Sequence, residues 1–296
     1  MPELPEVQTI VEDLEKVLPR LKIAGFWTDI PKFKKIKDEI LGEKILSLDR
    51  RGKNILINLS GNKTLLIHQK LTGHLLYGEW KVESAAEGEP RQGRGEWRSV
   101  IDGPLKDDPQ NRFIHLLLNL SNGKQLALSD LRKFAKVLVW PTDKLSQLPD
   151  ISKLGPDPLS PSFDFEKFRV ILKQKKGKIK QVLMNQEVIS GIGNIYSDEI
   201  LWEAGIHPLK PAEKLSEEEL KRIFSATKKI LKRAIEAKGD SMSDYRRPSG
   251  EKGGYQKIQN VYQMTGFKCR KYDGGIIERL KLAGRSAHFC PVHQKL

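Results

Sequence analysis

The chain has 296 residues, of which 38% are hydrophobic and 30% are charged. This length is too great for one compact core and suits two domains, and the composition excludes wholesale disorder. Lysine and arginine number 52 against 38 aspartates and glutamates, a net charge of +14. That surplus favours a polyanionic partner, either nucleic acid or an anionic membrane surface.

The N-terminal residues and the cysteines help to decide between these two kinds of partner. The first residues are acidic rather than basic, so a secretory signal is not expected, and no apolar stretch is long enough to span a bilayer. The two cysteines, Cys269 and Cys290, are too few to staple a chain of this length. We therefore expect a reducing, cytoplasmic environment, no membrane, and nucleic acid as the partner.

The first half of the chain is predicted to be β-structure with a leading helix. Apolar residues spaced three and four apart predict a helix over residues 4–18. Alternation predicts a hairpin over 55–68, a second hairpin over 113–128 around the Asn122-Gly123 turn, and a strand over 137–140. Residues 79–111 are polar and bear Gly and Pro, and we interpret them as a long surface loop or a hairpin insertion of unassigned function.

The second half is predicted to be helical. Prolines between residues 141 and 161 indicate a linker. Helices are predicted over 165–172 and after the capping box of Ser216 and Glu219, and Gly239 ends the second one. Polar, glycine-rich residues then indicate a mobile loop, and a short β-hairpin module follows. We divide the chain into a β-domain (1–140), a linker (141–162), a helical domain with its loop (163–256) and a hairpin module (257–296).

The N-terminus carries the clearest chemical signal. The Met1-Pro2 pair favours removal of Met1, which gives Pro2 a free secondary amine that can attack a sugar carbon and form an iminium. Glu3 and Glu6 lie three residues apart on the first helical turn and can shuttle protons beside that amine. The alternative is a plain helix start with acidic residues at the positive end of the helix dipole, and composition alone favours that alternative.

The start Met-Pro-Glu-Leu-Pro-Glu-Val at residues 1–7 resembles that of formamidopyrimidine-DNA glycosylases, the Fpg branch of the Fpg/Nei family. Further similarities follow in family order at residues 50–53, 67–73, 130–134, 185–207, 239–255 and 282–285. Leu4 points to the Fpg branch, because the Nei branch usually has Gly there. The resemblance implies an α+β fold with an N-terminal β-sandwich and leading helix, a helical helix–two-turns–helix domain, and a C-terminal β-hairpin.

The resemblance also implies roles for individual side chains. Pro2 is expected to be the nucleophile and Glu3 a proton donor, with Glu6 beside them and Lys53 at the lesion-bearing backbone. The side chains expected to touch DNA are Leu71 as a wedge in the gap left by a flipped base, Arg132 against the orphaned base, Phe134 as an intercalator, and Asn194 and Arg285 on phosphates. Those expected near the lesion are Glu199 and three residues of a loop that closes over an extruded purine, namely Ser241, Ser243 and Tyr245.

The hairpin module departs from the family pattern. The family usually ends in a zinc hairpin with two Cys-x-x-Cys pairs, whereas Cys269 and Cys290 here each stand for a whole pair. His293 is a candidate third ligand and Asp273 a neighbouring carboxylate, but a structural zinc site is closed and tetrahedral. The sequence therefore favours a degenerate zinc finger without metal over a weakened Cys/His site. No cofactor is expected for catalysis.

The resemblance implies a monomeric, bifunctional DNA glycosylase and AP lyase of base excision repair. It would remove oxidised purines, such as 8-oxoguanine and formamidopyrimidines, from damaged double-stranded DNA through a Schiff base and β,δ-elimination. One alternative is a Nei-like glycosylase for oxidised pyrimidines, against which Leu4 and the purine loop argue. The other is a non-catalytic damaged-DNA-binding protein, against which the joint presence of Pro2, Glu3, Glu6 and Lys53 argues.

Overall fold

The computed structural model describes residues 1–83, 96–242 and 244–296. Its α-helices are α1 Leu4–Glu15, α2 Pro31–Lys34, α3 Lys37–Ile40, α4 Pro149–Ser152, α5 Phe165–Lys173, α6 Ile179–Met184, α7 Asn194–Ala204 and α8 Glu217–Glu236. Its strands are β1 Ile23–Thr28, β2 Ile45–Arg51, β3 Asn54–Leu59, β4 Lys63–His68, β5 Gly73–Gly78, β6 Trp80–Glu83, β7 Glu96–Ser99, β8 Ile114–Leu120, β9 Gln125–Asp130, β10 Lys136–Pro141, β11 Glu278–Leu282 and β12 Arg285–Phe289.

Two four-stranded antiparallel sheets form a β-sandwich, with strand orders β1-β8-β9-β5 and β10-β4-β3-β2. The two predicted hairpins are β3–β4, where Ile55 faces Ile67, and β8–β9, where Leu116 faces Leu128. Aliphatic side chains of both sheets meet the apolar face of α1 in one buried core. The alternation seen in the sequence is therefore the alternation of core-facing and outward-facing strand positions.

The insertion between β5 and β8 packs on the sandwich. In its described part, β6 and β7 pair as an antiparallel hairpin, and a 3-10 helix, Pro109–Phe113, leads into β8. A small apolar cluster holds the insertion, formed by Leu76, Trp80, Leu105, Ile114, Leu117 and Ala127. The hairpin interpretation therefore describes this segment better than the surface-loop interpretation does, while residues 84–95 lie outside the described ranges.

Helices α5 to α8 enclose a second core. The predicted capping box begins α8, with the Ser216 N–H donating to Glu219 at 3.0 Å and the Glu219 N–H donating to the Ser216 hydroxyl at 3.2 Å. The helix ends at Glu236, just before Lys238 and Gly239, which have φ angles of 64° and 80°. Left-handed residues at this position stop the helix.

Helix α1 belongs to both cores. Leu4 packs in the helical core, whereas Val7 and Ile10 pack in the sandwich. The Leu4 N–H also donates to the carbonyl oxygen of Gly191 at 3.0 Å. The N-terminus consequently lies at the junction of the two domains.

Strands β11 and β12 pair antiparallel as the C-terminal hairpin. With the sandwich, its leading helix and the helical domain, this completes the predicted α+β architecture, which is confirmed. None of the helices in the described ranges combines the length and the apolar character needed to cross a bilayer.

Candidate active site and DNA interface

A cavity of about 340 Å³ lies where the sandwich, the helical domain and the C-terminal module meet. All three parts line it, with Met1, Glu3 and Leu71 from the first, Asn194, Ile195, Asp240 and Met242 from the second, and Tyr262, Gln263 and Arg285 from the third. The fold thus brings Glu3, Leu71, Asn194 and Arg285, which are far apart in the sequence, to one cavity.

The carboxylate of Glu3 caps the N-terminus of α7. It accepts hydrogen bonds from the backbone N–H groups of Gly193 at 2.8 Å, Ile195 at 2.9 Å and Tyr196 at 3.3 Å. Free N–H groups and the helix dipole make such a terminus an anion site. From the sequence, Asn194 at the start of this helix was expected to contact a DNA phosphate. The structure places the Glu3 carboxylate there, because the first turn of α1 packs against the start of α7.

Two glycines permit this close approach. A Cβ atom at Gly193 would lie 2.4 Å from the carboxyl carbon of Glu3, and one at Gly191 would lie 2.7 Å from Cβ of Leu4. Gly191 also has a φ of 94°, a conformation that favours glycine. The Gly-x-Gly motif therefore leaves room for the N-terminus of the chain, and Pro2 lies next to the cavity that Glu3 lines.

Glu6 is buried and receives three hydrogen bonds. The Glu3 N–H at 2.8 Å, the Tyr196 hydroxyl at 2.5 Å and the Asp240 N–H at 2.8 Å donate to its carboxyl oxygens. Burial, together with the charge of Glu3, raises the pKa of Glu6 from its ordinary 4.5 to about 7. A carboxyl group with a neutral pKa can both give and take a proton near neutral pH.

Lys53 lies in the β2–β3 turn and is only 7% exposed. Burial lowers the pKa of its ammonium group, the charges of Glu3 and Glu6 oppose that shift, and the charge of Arg285 adds to it. Lys53 is therefore within electrostatic reach of both carboxyl groups and of the C-terminal hairpin.

Two loops expose the predicted wedge side chains. Leu71 is 40% and Phe134 is 52% exposed, and the guanidinium of Arg132 lies 4.6 Å from the centre of the Phe134 ring. Their exposure is compatible with insertion into a base stack.

Asp130 joins these two loops. Its carboxylate accepts hydrogen bonds from the hydroxyl of Thr72 at 2.5 Å and from the N–H of Arg132 at 3.2 Å. Each loop also contains a lysine in the left-handed region, since Lys70 and Lys133 both have a φ of 57°. Conformations of this kind cost energy and persist where surrounding contacts fix them, and the hydrogen bonds of Asp130 connect the two loops.

A buried ionic network positions Arg285. Lys180 donates to one carboxylate oxygen of Asp198 at 2.6 Å, and the other oxygen accepts the N–H of His288 at 3.0 Å. Lys180 also donates to the carbonyl oxygen of Ser286 at 2.6 Å. These bonds hold β12 against α6 and α7, and Arg285, the first residue of β12, is thereby held at the cavity.

Glu199 does not face the cavity, contrary to the expectation that it lies near the lesion. It is fully buried, and its carboxylate accepts the N–H groups of Asn260, Val261 and Tyr262 and the hydroxyl of Tyr255. Asn260, Val261 and Tyr262 belong to the start of the hairpin module, and Tyr255 lies just before it. Glu199 therefore anchors the start of that module to α7.

Two of the predicted loop contacts also point into the protein. The Ser241 hydroxyl donates to the carbonyl oxygen of Tyr245 at 2.9 Å and accepts the Gly253 N–H at 2.8 Å. Tyr245 is 3% exposed and packs in the sandwich core. In this structure Ser241 and Tyr245 make contacts within the protein and connect parts of the loop to one another. Ser243 lies outside the described residues.

Asp240 lines the cavity, and its role was not predicted from the sequence. Its Oδ2 atom has no hydrogen-bond partner among the described residues, and burial raises the pKa of its carboxyl group to about 6. Tyr196, which binds Glu6, was also missed, because a tyrosine in a helix normally indicates a core position. The signal for Asp240 was its place directly after Gly239, where the helix ends.

Four polar side chains gather in the C-terminal module. Ligand atoms of Cys269, Asp273, Cys290 and His293 all lie within 4.8 Å of one another. A Cβ atom at Gly275 would lie 2.3 Å from the Cys290 sulfur, so glycine is needed beside the cluster. Two sulfurs, one nitrogen and one carboxylate oxygen form a four-ligand set that zinc accepts. The residues fit a metal ion, for which Asp273 would supply a fourth ligand beside Cys269, Cys290 and His293.

Comparison with known proteins identifies relatives over the whole chain. Residues 1–137 match the formamidopyrimidine-DNA glycosylase N-terminal domain, and residues 154–246 match the formamidopyrimidine-DNA glycosylase H2TH domain. The formamidopyrimidine-DNA glycosylases of Pelotomaculum thermopropionicum and Protochlamydia amoebophila are each 36% identical to the chain, and each alignment covers 100% of both proteins.

Solved structures agree with this. A complex of Lactococcus lactis Fpg with DNA containing an abasic site has a TM-score of 0.83 at 31% identity, covering 99% of this chain and 100% of that one. A complex of the wild-type Lactococcus lactis protein with DNA containing an oxidised pyrimidine has a TM-score of 0.82 at 31% identity, covering 100% of both chains.

Proposed function

The chain belongs to the formamidopyrimidine-DNA glycosylase family, and we propose that it excises oxidised bases, chiefly oxidised purines, from damaged double-stranded DNA in base excision repair. The observation that carries this proposal is the N-terminal junction. Glu3 is fixed at the start of α7, and Glu6 has a pKa of about 7 beside it. A buried carboxyl group whose pKa is raised in this way beside a candidate nucleophile is typical of a catalytic site.

We infer that the nucleophile is the secondary amine of Pro2. Met1 is bonded to that nitrogen and lines the cavity, so its removal opens the amine onto the cavity. The amine attacks C1′ of the damaged nucleotide, the base leaves with the electrons of the glycosylic bond, and opening of the sugar ring gives an iminium. β,δ-Elimination then cuts the strand on both sides of the sugar. Glu3 and Glu6 exchange the protons that the base and the ring oxygen require.

The exposed loops and the C-terminal hairpin supply the contacts to the duplex. Taking a base out of the stack leaves a gap that costs a few kcal/mol, and Leu71, Arg132 and Phe134 can fill it. Asn194 and Arg285 line the cavity beside Glu3, where the phosphates next to a flipped nucleotide have to pass. Both cysteines are free thiols, which suits the cytoplasmic location we propose.

An excision assay tests the proposal. Wild-type protein is incubated with duplexes that carry either 8-oxoguanine opposite cytosine or an oxidised pyrimidine, and strand cleavage is followed. We expect the wild-type protein to cleave at 8-oxoguanine and Glu3→Gln to lose most of this activity. Glu12→Gln, a matched change on the exposed side of α1, should cleave as fast as the wild-type protein. Faster cleavage at the pyrimidine lesion would favour the Nei-like alternative. Tight binding without cleavage of either duplex would favour the non-catalytic one.

We also propose that Cys269, Asp273, Cys290 and His293 hold a structural zinc ion. It would brace the hairpin that carries Arg285, and no step of the reaction depends on it. Purified protein should contain about one zinc per chain, and cobalt in its place should give a thiolate-to-metal absorption band. Asp273→Ala and His293→Ala should lose the metal, whereas Glu278→Ala, on the exposed surface of β11, should keep it. The proposal would be contradicted if wild-type protein bound neither zinc nor cobalt after either metal was added.

A further inference from the structure

The loop over residues 240–256, called here the lesion loop, rests on the insertion between β5 and β8. Gly250 has a φ of 85°, and a Cβ atom there would lie 2.7 Å from Cδ2 of Leu105. In β5, the N–H of Tyr77 donates to the carbonyl oxygen of Pro248 at 2.8 Å. Pro248 and Gly250 are both buried. The tip of the loop is therefore in close contact with the β-domain.

A charged pair strengthens this contact. Nε of Arg246 lies 3.3 Å from Oδ2 of Asp108, and the two side chains are 15% and 3% exposed. Arg246 also donates to the carbonyl oxygens of Asp244 at 3.2 Å and Tyr245 at 3.1 Å. The guanidinium thus fixes its own loop and binds that loop to the insertion. A pair so shielded from solvent is more strongly coupled than a surface pair.

The insertion itself is rigid where it meets the loop. The side chain of Asn111 donates to the carbonyl oxygen of Leu105 at 2.7 Å and accepts the indole N–H of the buried Trp80 at 2.8 Å. Asp108 caps the following 3-10 helix by accepting the N–H of Gln110 at 2.9 Å. Residues 105–108, called here the seat, are consequently held by the small apolar cluster beneath them.

The position of the loop tip is transmitted to the cavity. Asp240 and Met242, at the start of the lesion loop, line the cavity beside Glu3. Between them, Ser241 is hydrogen-bonded to Tyr245 and Gly253. These two residues precede and follow the loop tip, which Pro248 and Gly250 form. A displaced tip would therefore displace Asp240 and Met242.

We propose that the seat positions the lesion loop for recognition of the flipped base, so that Leu105 and Asp108 are positioning residues for base excision. The inference rests on the proposed function and extends it to a segment without an assigned role. The side chains that the seat controls, Asp240 and Met242, line the cavity, to which the proposed function assigns the flipped base. A duplex that has already lost its base does not need them, and its cleavage should be insensitive to the seat.

Single-turnover assays on two duplexes test this. The duplexes are identical except that one carries 8-oxoguanine and the other an abasic site. Leu105→Ala removes the apolar contact, and Asp108→Asn removes the charge while keeping a good helix cap. Asp102→Asn is the matched control, since Asp102 is 93% exposed and pairs with Lys106. We expect both seat variants to lose about tenfold or more in base release and less than about twofold in abasic-site cleavage, with the control unchanged in both.

Hydrogen exchange of the free protein adds a readout that does not need catalysis. The N–H groups of Gly250 and Gly253 are hydrogen-bonded within the loop, and they should exchange faster in both seat variants. Equal losses in the two cleavage reactions, no loss in either, or unchanged exchange would overturn the proposal. Wild-type protein that cleaves neither duplex would contradict the proposed function, and hydrogen exchange would still decide whether the seat holds the loop.

Discussion

At the scale of single residues, Glu6 makes stability depend on pH. Its pKa is about 7 in the folded chain and 4.5 ordinarily, so the folded protein binds a proton that the unfolded chain releases between those values. The free energy of unfolding should therefore fall as the pH rises from about 5 to 8, by up to about 3 kcal/mol. Urea unfolding at several pH values measures this for wild-type protein and for Glu6→Gln, in which the fall should be much smaller.

Glu12→Gln serves as the control for that measurement. Glu12 lies on the same helix and is partly exposed, and its carboxylate accepts a hydrogen bond from Gln8 at 3.1 Å. The control should keep the pH dependence of the wild-type protein. An identical pH dependence in wild-type protein and Glu6→Gln would show that Glu6 is not the titrating group.

The sequence identified candidate site residues better than it predicted the contacts that these residues make in the folded chain. Glu3 was identified from a motif, but its role as a cap of α7 depends on packing across a separation of 190 residues. Glu199 was expected near the lesion because it matches a carboxylate of the family that it resembles. It is engaged instead by a segment about 60 residues away, and local spacing carries no information about such a contact.

At the scale of elements, α7 anchors the C-terminal hairpin through the buried pair of Lys180 and Asp198, whose side chains are 1% and 0% exposed. Removing one partner of a buried pair leaves the other charge without compensation, which typically costs about 3–5 kcal/mol. Lys180→Met should therefore lower the free energy of unfolding by that order and weaken DNA binding through Arg285. Lys221→Met, which breaks an exposed pair with Glu218, should change both little. Equal effects of the two changes would contradict this role.

Periodicity located those helices and strands that have one apolar face in a core. The helix predicted over 4–18, both hairpins and the capped helix α8 follow this rule. The insertion shows no such periodicity, because most of its residues are polar. Its apolar residues Trp80 and Leu105 are buried by residues distant in the chain. The proximity of Asp273 to the two cysteines could not be predicted from the sequence for the same reason, because only the folded chain brings these side chains together.

At the scale of the whole molecule, the net charge of +14 should make DNA binding strongly dependent on salt. Each phosphate neutralised by Lys or Arg contributes about −0.9 to the slope of log K against log salt. Fluorescence anisotropy from 50 to 200 mM salt should show a steep decline for wild-type protein, and a slope smaller by about one in Arg285→Ala. A slope near zero would exclude a backbone-dominated interface, and an unchanged slope would remove Arg285 from it.

Borohydride trapping tests the central claim most directly. Wild-type protein is mixed with a duplex containing 8-oxoguanine opposite cytosine, the iminium is reduced, and the cross-linked peptide is identified by mass spectrometry. The proposed mechanism predicts a cross-link at the nitrogen of Pro2 on a chain that has lost Met1. A cross-link at Lys53 or at another amine, or no cross-link while the strand is cut, would contradict the assignment of Pro2 as the nucleophile.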